Sequence, residues 1–128
     1  MVGKYQNILL IDDDCDDQEI FLEAVEKISS KATCIAFSDA THALQKLIAK
    51  EITPDVIFLD LNMPIMTGEQ FLFEIKKQQD IKDIPIIIFS TTSQSTTIKR
   101  TKDMGALDFI TKPSMFTELL HVLAPLLI

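Results

Sequence analysis

Val56-Ile-Phe-Leu-Asp-Leu-Asn-Met-Pro64 decides the fold: four apolar residues end abruptly on an acid, with an amide and a turn-forming proline close behind. A short run that is apolar on both faces predicts a buried strand. Three further runs have the same character: Ile8-Leu-Leu-Ile11, Ile84-Pro-Ile-Ile-Ile-Phe89 and the shorter Leu107-Asp-Phe-Ile110. Thr33-Cys-Ile-Ala-Phe37 is a fifth candidate. The segments between them carry helical spacing rather than hairpin turns, and such alternation implies a parallel sheet in an α/β fold.

The first helix is predicted to begin near Asp16, where Asp16 and Glu19 have capping-box-like spacing and Ile20, Phe21, Ala24, Val25 and Ile28 form one apolar stripe. The second starts at Ser38 or Asp39 and carries Ala40, Ala43, Leu44, Leu47 and Ile48 inward. It ends before Thr53-Pro54, because the residue before a proline is pushed out of the α region. The third spans about Thr67 to Gln78 with Phe71, Leu72 and Ile75 inward; the fifth, from about Ser114, turns Phe116, Leu119, Leu120, Val122 and Leu123 inward. The fourth, between Ser93 and Gly105, is rich in Ser95, Thr96, Thr97 and Thr101, so its intrinsic propensity is weak. Marginal local stability suits a moving element, although tertiary packing alone would fix it equally well.

A length of 128 residues and a hydrophobic content of 47% fit one domain with a core between stacked layers. With 19 acidic and 12 basic residues the net charge is -7, and no basic stripe is present, which disfavours nucleic acid as a direct partner. No charged n-region and apolar h-region follow Met1, so Cys15 and Cys34 are expected as reduced thiols in a cytoplasmic protein. The apolar runs are too short to span a bilayer, and no membrane insertion is expected.

In doubly wound sheets ligands bind beyond the carboxyl ends of the strands, so the residues just after each apolar run carry the chemistry. Asp12, Asp13 and Asp14 follow the first run, Asp60, Leu61 and Asn62 the third, Ser90 and Thr91 the fourth, and Lys112-Pro113 the last. Two carboxylates ~4 Å apart repel by ~4 kcal/mol at an effective dielectric near 20. Bringing Asp12, Asp13 and Asp60 together therefore requires a cation or raised pKa values. Hard oxygen ligands suit Mg²⁺, which binds through one or two carboxylates plus a phosphate, and that combination points to phosphoryl transfer.

Through Asp12-Asp13, Asp60-Leu-Asn-Met-Pro64 with Gly68, Ser90 and Lys112-Pro113, the chain closely resembles the response-regulator receiver family. Each motif alone is weak; the set, in this order and spacing, is specific. The resemblance covers essentially the whole chain. It implies a single receiver domain over residues 1–128 with no output domain, folded as a flavodoxin-like, three-layered, doubly wound sheet of five parallel strands in the order 2-1-3-4-5. Asp60 would be the phosphoacceptor, Asp13 a direct Mg²⁺ ligand, Asp12 a ligand through water, and Asn62 the donor of a backbone carbonyl. Lys112 would pair with Asp60 and later with a phosphoryl oxygen. Ser90 would bond another oxygen, and Phe109 matches the aromatic switch position. The implied donor is a sensor histidine kinase or a histidine phosphotransfer protein, and the output a conformational change read by a downstream protein. Such domains catalyse only their own phosphorylation and dephosphorylation and are not counted as enzymes. Pro113 follows a cis bond in relatives, whereas trans is the ordinary expectation for an X-Pro bond.

Three positions depart from the family pattern: Ser90 replaces the more frequent threonine, Thr91 a small residue, and Thr67 an acid or amide. Thr91 is expected to narrow access to Asp60 and to slow phosphotransfer or alter hydrolysis relative to alanine there. Asp14, Asp16 and Asp17 read most simply as helix caps, His42 and His121 as surface or boundary histidines, and Met63 as a core residue.

Other functions fare worse. A nucleotide-binding loop would follow the first strand, where three aspartates repel phosphate, and there is no G-x-G-x-x-G or G-K-[ST]. A Mg²⁺-dependent aspartyl-phosphate phosphohydrolase would need a substrate cap and a general acid two residues beyond Asp60, where Asn62 stands. A degenerate receiver that only binds proteins would lack a key residue, and none is missing. The apolar segment Leu119 to Ile128 raises homodimerisation, although core burial accounts for most of it.

Overall fold

The computed structural model describes residues 5–127, so Met1 and Ile128 lie outside it. Five strands, β1 (Asn7–Ile11), β2 (Thr33–Phe37), β3 (Val56–Leu59), β4 (Ile86–Ser90) and β5 (Asp108–Thr111), alternate with five helices. These are α1 (Cys15–Ile28), α2 (Ala40–Ile48), α3 (Gly68–Ile75), α4 (Ser95–Asp103) and α5 (Phe116–Leu127). All neighbouring strands pair in parallel, in the order β2-β1-β3-β4-β5.

Strand side chains alternate between faces, so each apolar run feeds two cores. Leu9, Ile11, Ile57, Leu59, Ile86 and Ile88 pack with Ala43 and Leu47 of α2 and with Phe71, Leu72 and Ile75 of α3. On the opposite face Ile8, Leu10, Val56, Phe58, Ile87 and Phe89 meet Phe21, Ala24 and Val25 of α1 and Leu119, Leu123 and Leu127 of α5. The result is three layers with a sheet buried on both sides. Each fully buried side chain of this size stabilises the fold by roughly 1.5–3 kcal/mol.

Several element ends differ from the sequence reading. β4 begins at Ile86 rather than Ile84, because Pro85 has no N–H to give the ladder and the Ile84 N–H is used in a turn to the Ile81 carbonyl. α1 begins at Cys15, capped by Asp14, whose carboxylate accepts the N–H groups of Asp16 and Asp17. The Asp16–Glu19 box is therefore not the start signal. α3 stops at Ile75, where tighter turns take over through Lys77 N–H to the Glu74 carbonyl and Gln78 N–H to the Ile75 carbonyl.

The predicted stripes were too wide. Ile20 and Ile48 remain 45% and 47% exposed at the flanks of their helices, and Phe116, Leu120 and Val122 of α5 are only half-buried. Leu119, Leu123 and Leu127 form the buried row of α5, so most of that segment's apolar content goes to its own core. α4 has no side-chain cap at Gln94 and turns Thr97 and Thr101 into the interior. The Thr101 hydroxyl donates to the Thr97 and Ile98 carbonyls, both at 3.1 Å, which satisfies it without a partner from another element.

Among the described residues there is no cis peptide bond, so Lys112–Pro113 is trans. No described helix is long and apolar enough to cross a membrane.

Candidate functional site

The carboxyl ends of β1, β3, β4 and β5 converge, and backbone bonds stitch them together. Asp12 N–H donates to the Phe37 carbonyl at 3.0 Å, Asp60 N–H to the Ile11 carbonyl at 2.9 Å, and Lys112 N–H to the Ser90 carbonyl at 2.7 Å. Each polar residue thus inherits a fixed position from the strand before it. Carboxylate oxygens of Asp12, Asp13 and Asp60 all lie within 4.8 Å of one another. Asp12 and Asp60 are buried, whereas Asp13 faces solvent.

The loop after Asp60 is shaped by two close approaches. Gly68 N–H donates to the Leu61 carbonyl at 3.0 Å, and a Cβ at Gly68 would collide with the Asp60 carbonyl oxygen. Thr67 caps α3 through a reciprocal box with Gln70, which gives this departure from the family pattern a structural task. Met63 is buried, while Ile65 has φ +67° and is 87% exposed, an uncommon conformation for a β-branched residue.

Lys112 crosses the cluster. Its Nζ lies 2.8 Å from Asp12 Oδ2, 2.8 Å from Asp17 Oδ2 and 3.8 Å from Asp60 Oδ2. The pairing with Asp60 is therefore the longest of three. Asp17 is not the helix cap that the sequence suggested; Asp14 takes that task, and Asp17 turns its carboxylate onto the lysine. The signal was its place three residues after the cap, on the first turn of α1. Gln18, on the same turn, donates its side-chain amide to the Asp12 carbonyl.

Burial pushes the Asp60 carboxyl up to about 6; Lys112 opposes the rise and the Asp12 charge adds to it. Burial also works to lower the Lys112 pKa, but bonds to Asp12 and Asp17 outweigh it and hold the ammonium above the usual lysine range. Three acids thus share one lysine, with Asp13 close to two of them. A hard oxygen set of this density, with one acid driven toward protonation, is suited to a divalent cation.

The remaining predicted residues stand around this centre. Ser90 is buried, and its hydroxyl accepts the Thr92 N–H at 3.4 Å; Asn62 donates its N–H to Asp60 Oδ1 at 3.5 Å. Thr91 is exposed. Phe109 does not join the acids; it is half-buried against the core under α2 and α3. His42 and His121 are exposed, as is Cys15, while burial raises the half-buried Cys34 thiol to about 12.

The chain resembles known proteins in sequence and in fold. It is 42% identical over 106 residues to the protein-glutamate methylesterase/protein-glutamine glutaminase of Treponema denticola, a match covering 77% of this chain and 27% of that protein. The phosphorylated cyanobacterial phytochrome response regulator RcpA superposes with a TM-score of 0.83 at 25% identity, over 94% of this chain and 90% of that one. The Mn²⁺-bound form of response regulator Rcp1 gives a TM-score of 0.79 at 25% identity, over 93% and 90% of the two chains. The response regulator receiver domain profile matches residues 8–124, and the chain belongs to that family.

Proposed function

We propose that this protein is a phosphorylation-dependent signalling switch in which Asp60 accepts a phosphoryl group from the phosphohistidine of a sensor histidine kinase or a histidine phosphotransfer protein. The observation that carries this reading is the setting of Asp60: a buried carboxylate beside two further acids, with a charged lysine 3.8 Å away. In the transfer the P–N bond of the donor breaks, its electron pair stays on the imidazole nitrogen, and a P–O bond forms to Asp60. The solved structure of phosphorylated RcpA supports phosphorylation as the event that this fold accommodates.

Asp12, Asp13 and Asp60, with the Asn62 carbonyl, would hold Mg²⁺, which would supply positive charge against the phosphoryl oxygens. The all-oxygen donor set fits that ion, and the Mn²⁺-bound form of Rcp1 supports a divalent cation in this fold. Lys112 holds a permanent positive charge at the acceptor and offers N–H donors where phosphoryl charge develops. Ser90, buried at the end of β4, accepts a weak bond from the Thr92 N–H through its hydroxyl oxygen and keeps its own O–H to donate to a phosphoryl oxygen within reach. Movement of that loop, which leads into the uncapped α4, and of Phe109 on the next strand changes the surface that a downstream protein reads. This switch operates in the cytoplasm and turns over no substrate of its own.

The test is intact mass after mixing the protein with Mg²⁺ and a small-molecule phosphodonor. One phosphoryl mass is expected, and none with Asp60→Asn or a chelator. Labelling that persists in Asp60→Asn would place the acceptor elsewhere.

A further inference from the structure

Asp12 and Asp13 belong to the triad of carboxylates suited to a cation, but the second strong partner of Lys112 does not. Asp17 lies outside that triad, on the first turn of α1, with its carboxylate 36% exposed. Lys112 has three N–H donors. Two are directed to Asp12 and Asp17 at 2.8 Å, which leaves the third for Asp60 at 3.8 Å or for a group attached to it. From this geometry we infer that Asp17 is a positioning residue for phosphoryl transfer: standing outside the cation-binding acids, it anchors the Lys112 ammonium and leaves its remaining donor for the acceptor.

The inference rests on the phosphotransfer reading and deepens it. The physical need is one of charge. Any cation drawn to Asp12, Asp13 and Asp60 repels the ammonium and competes for Asp12, the other anchor of the lysine. Asp17 is then the one close carboxylate whose hold on Lys112 is not shared with that cation. Placement on α1 fixes it firmly, because Asp14 caps the helix through the N–H of Asp17 itself, at 3.1 Å, and Gln18 ties the next residue to the Asp12 carbonyl.

The experiment compares Asp17→Asn, Asp17→Glu and the control Asp16→Asn with the unaltered protein. Asp16 is exposed in the same helical turn, so its substitution removes the same formal charge and makes the same change near the helix N-terminus. At saturating Mg²⁺, labelling of Asp60 by a small phosphodonor is expected to slow about tenfold in Asp17→Asn, recover most of that in Asp17→Glu, and stay within about twofold in Asp16→Asn. The Mg²⁺ concentration for half-maximal labelling should move no more than about twofold. Unchanged labelling in Asp17→Asn, or a change confined to Mg²⁺ requirement, would overturn the inference.

A second readout needs no phosphorylation: the ¹H–¹⁵N signal of the Lys112 ammonium with Mg²⁺ present. It is expected to be sharp in the unaltered protein and Asp16→Asn, and broadened by exchange in Asp17→Asn. A signal equally sharp in Asp17→Asn counts against the anchoring role. If the unaltered protein failed to label, the phosphoacceptor assignment would fall, and this signal would still decide whether Asp17 anchors Lys112.

Discussion

Gly68 and Asp60 touch through their backbones: at the start of α3 the chain passes so close to the end of β3 that a Cβ on Gly68 would sit 2.7 Å from Leu61 Cα and closer still to the Asp60 carbonyl oxygen. Both obstacles are main chain, and the Asp60 N–H is held by the Ile11 carbonyl, so neither can rotate away as a side chain would. Gly68→Ala is expected to cost on the order of 1–3 kcal/mol of stability and to displace the acceptor loop. Denaturant unfolding and labelling should both register it. Native values in both would mean that the α3 start shifts freely.

Asp60 also sets a pH dependence. Its carboxyl titrates at about 6 in the fold, against about 3.9 in an unfolded chain. The native state therefore holds a proton more tightly than the unfolded one between these values. On this account stability falls as pH rises from ~4 to ~6, by up to roughly 3 kcal/mol for about two units. Asp60→Asn should remove this slope and be the more stable protein at pH 8, measured in chelator. An identical slope in both proteins would contradict the burial argument.

Divalent cation should reverse part of that penalty. Saturating Mg²⁺ to ten times its dissociation constant stabilises a protein that binds it only when folded by about 1.4 kcal/mol. A rise in the unfolding midpoint on adding Mg²⁺ is expected, and it should largely vanish in Asp13→Asn, whose side chain faces solvent and is not needed by the core. Equal Mg²⁺ response in that variant would remove Asp13 from the ligand set.

An ion pair joins α3 to α4. The Arg100 guanidinium makes two bonds to the Glu69 carboxylate, 2.8 and 2.9 Å long, and α4 has no side-chain cap to help it. Glu69→Gln or Arg100→Ala should speed amide hydrogen exchange through residues 95–103 while exchange in β1 and β3 stays as it was. Unchanged exchange in α4 would show that the buried Thr97 and Thr101 fix the helix without the ion pair.

The strands were the most legible part of the molecule. β3 falls at the predicted residues because a strand buried on both faces leaves a run of apolar and β-branched side chains with no periodicity to misread, and the edge strand β2, although partly exposed, keeps enough of that character to be placed equally well. Helix flanks were less legible: apolar spacing gives a stripe, but the width actually covered depends on how each helix lies across the sheet, which is why Ile20 and Ile48 stay exposed. The acids and Lys112 could be gathered because each follows a strand. Asp17 could not, since it lies 95 positions from Lys112 and only the seating of α1 brings the two together. The strained Ile65 was equally silent, because nothing in its neighbours demands a positive φ.

The most direct test of the switch is to record amide chemical shifts with Mg²⁺ before and after adding a phosphodonor, for the unaltered protein and for Asp60→Asn. Shifts are expected at Ser90, Lys102 and Phe109 in the unaltered protein alone. No movement at these residues, or the same movement in Asp60→Asn, would contradict it.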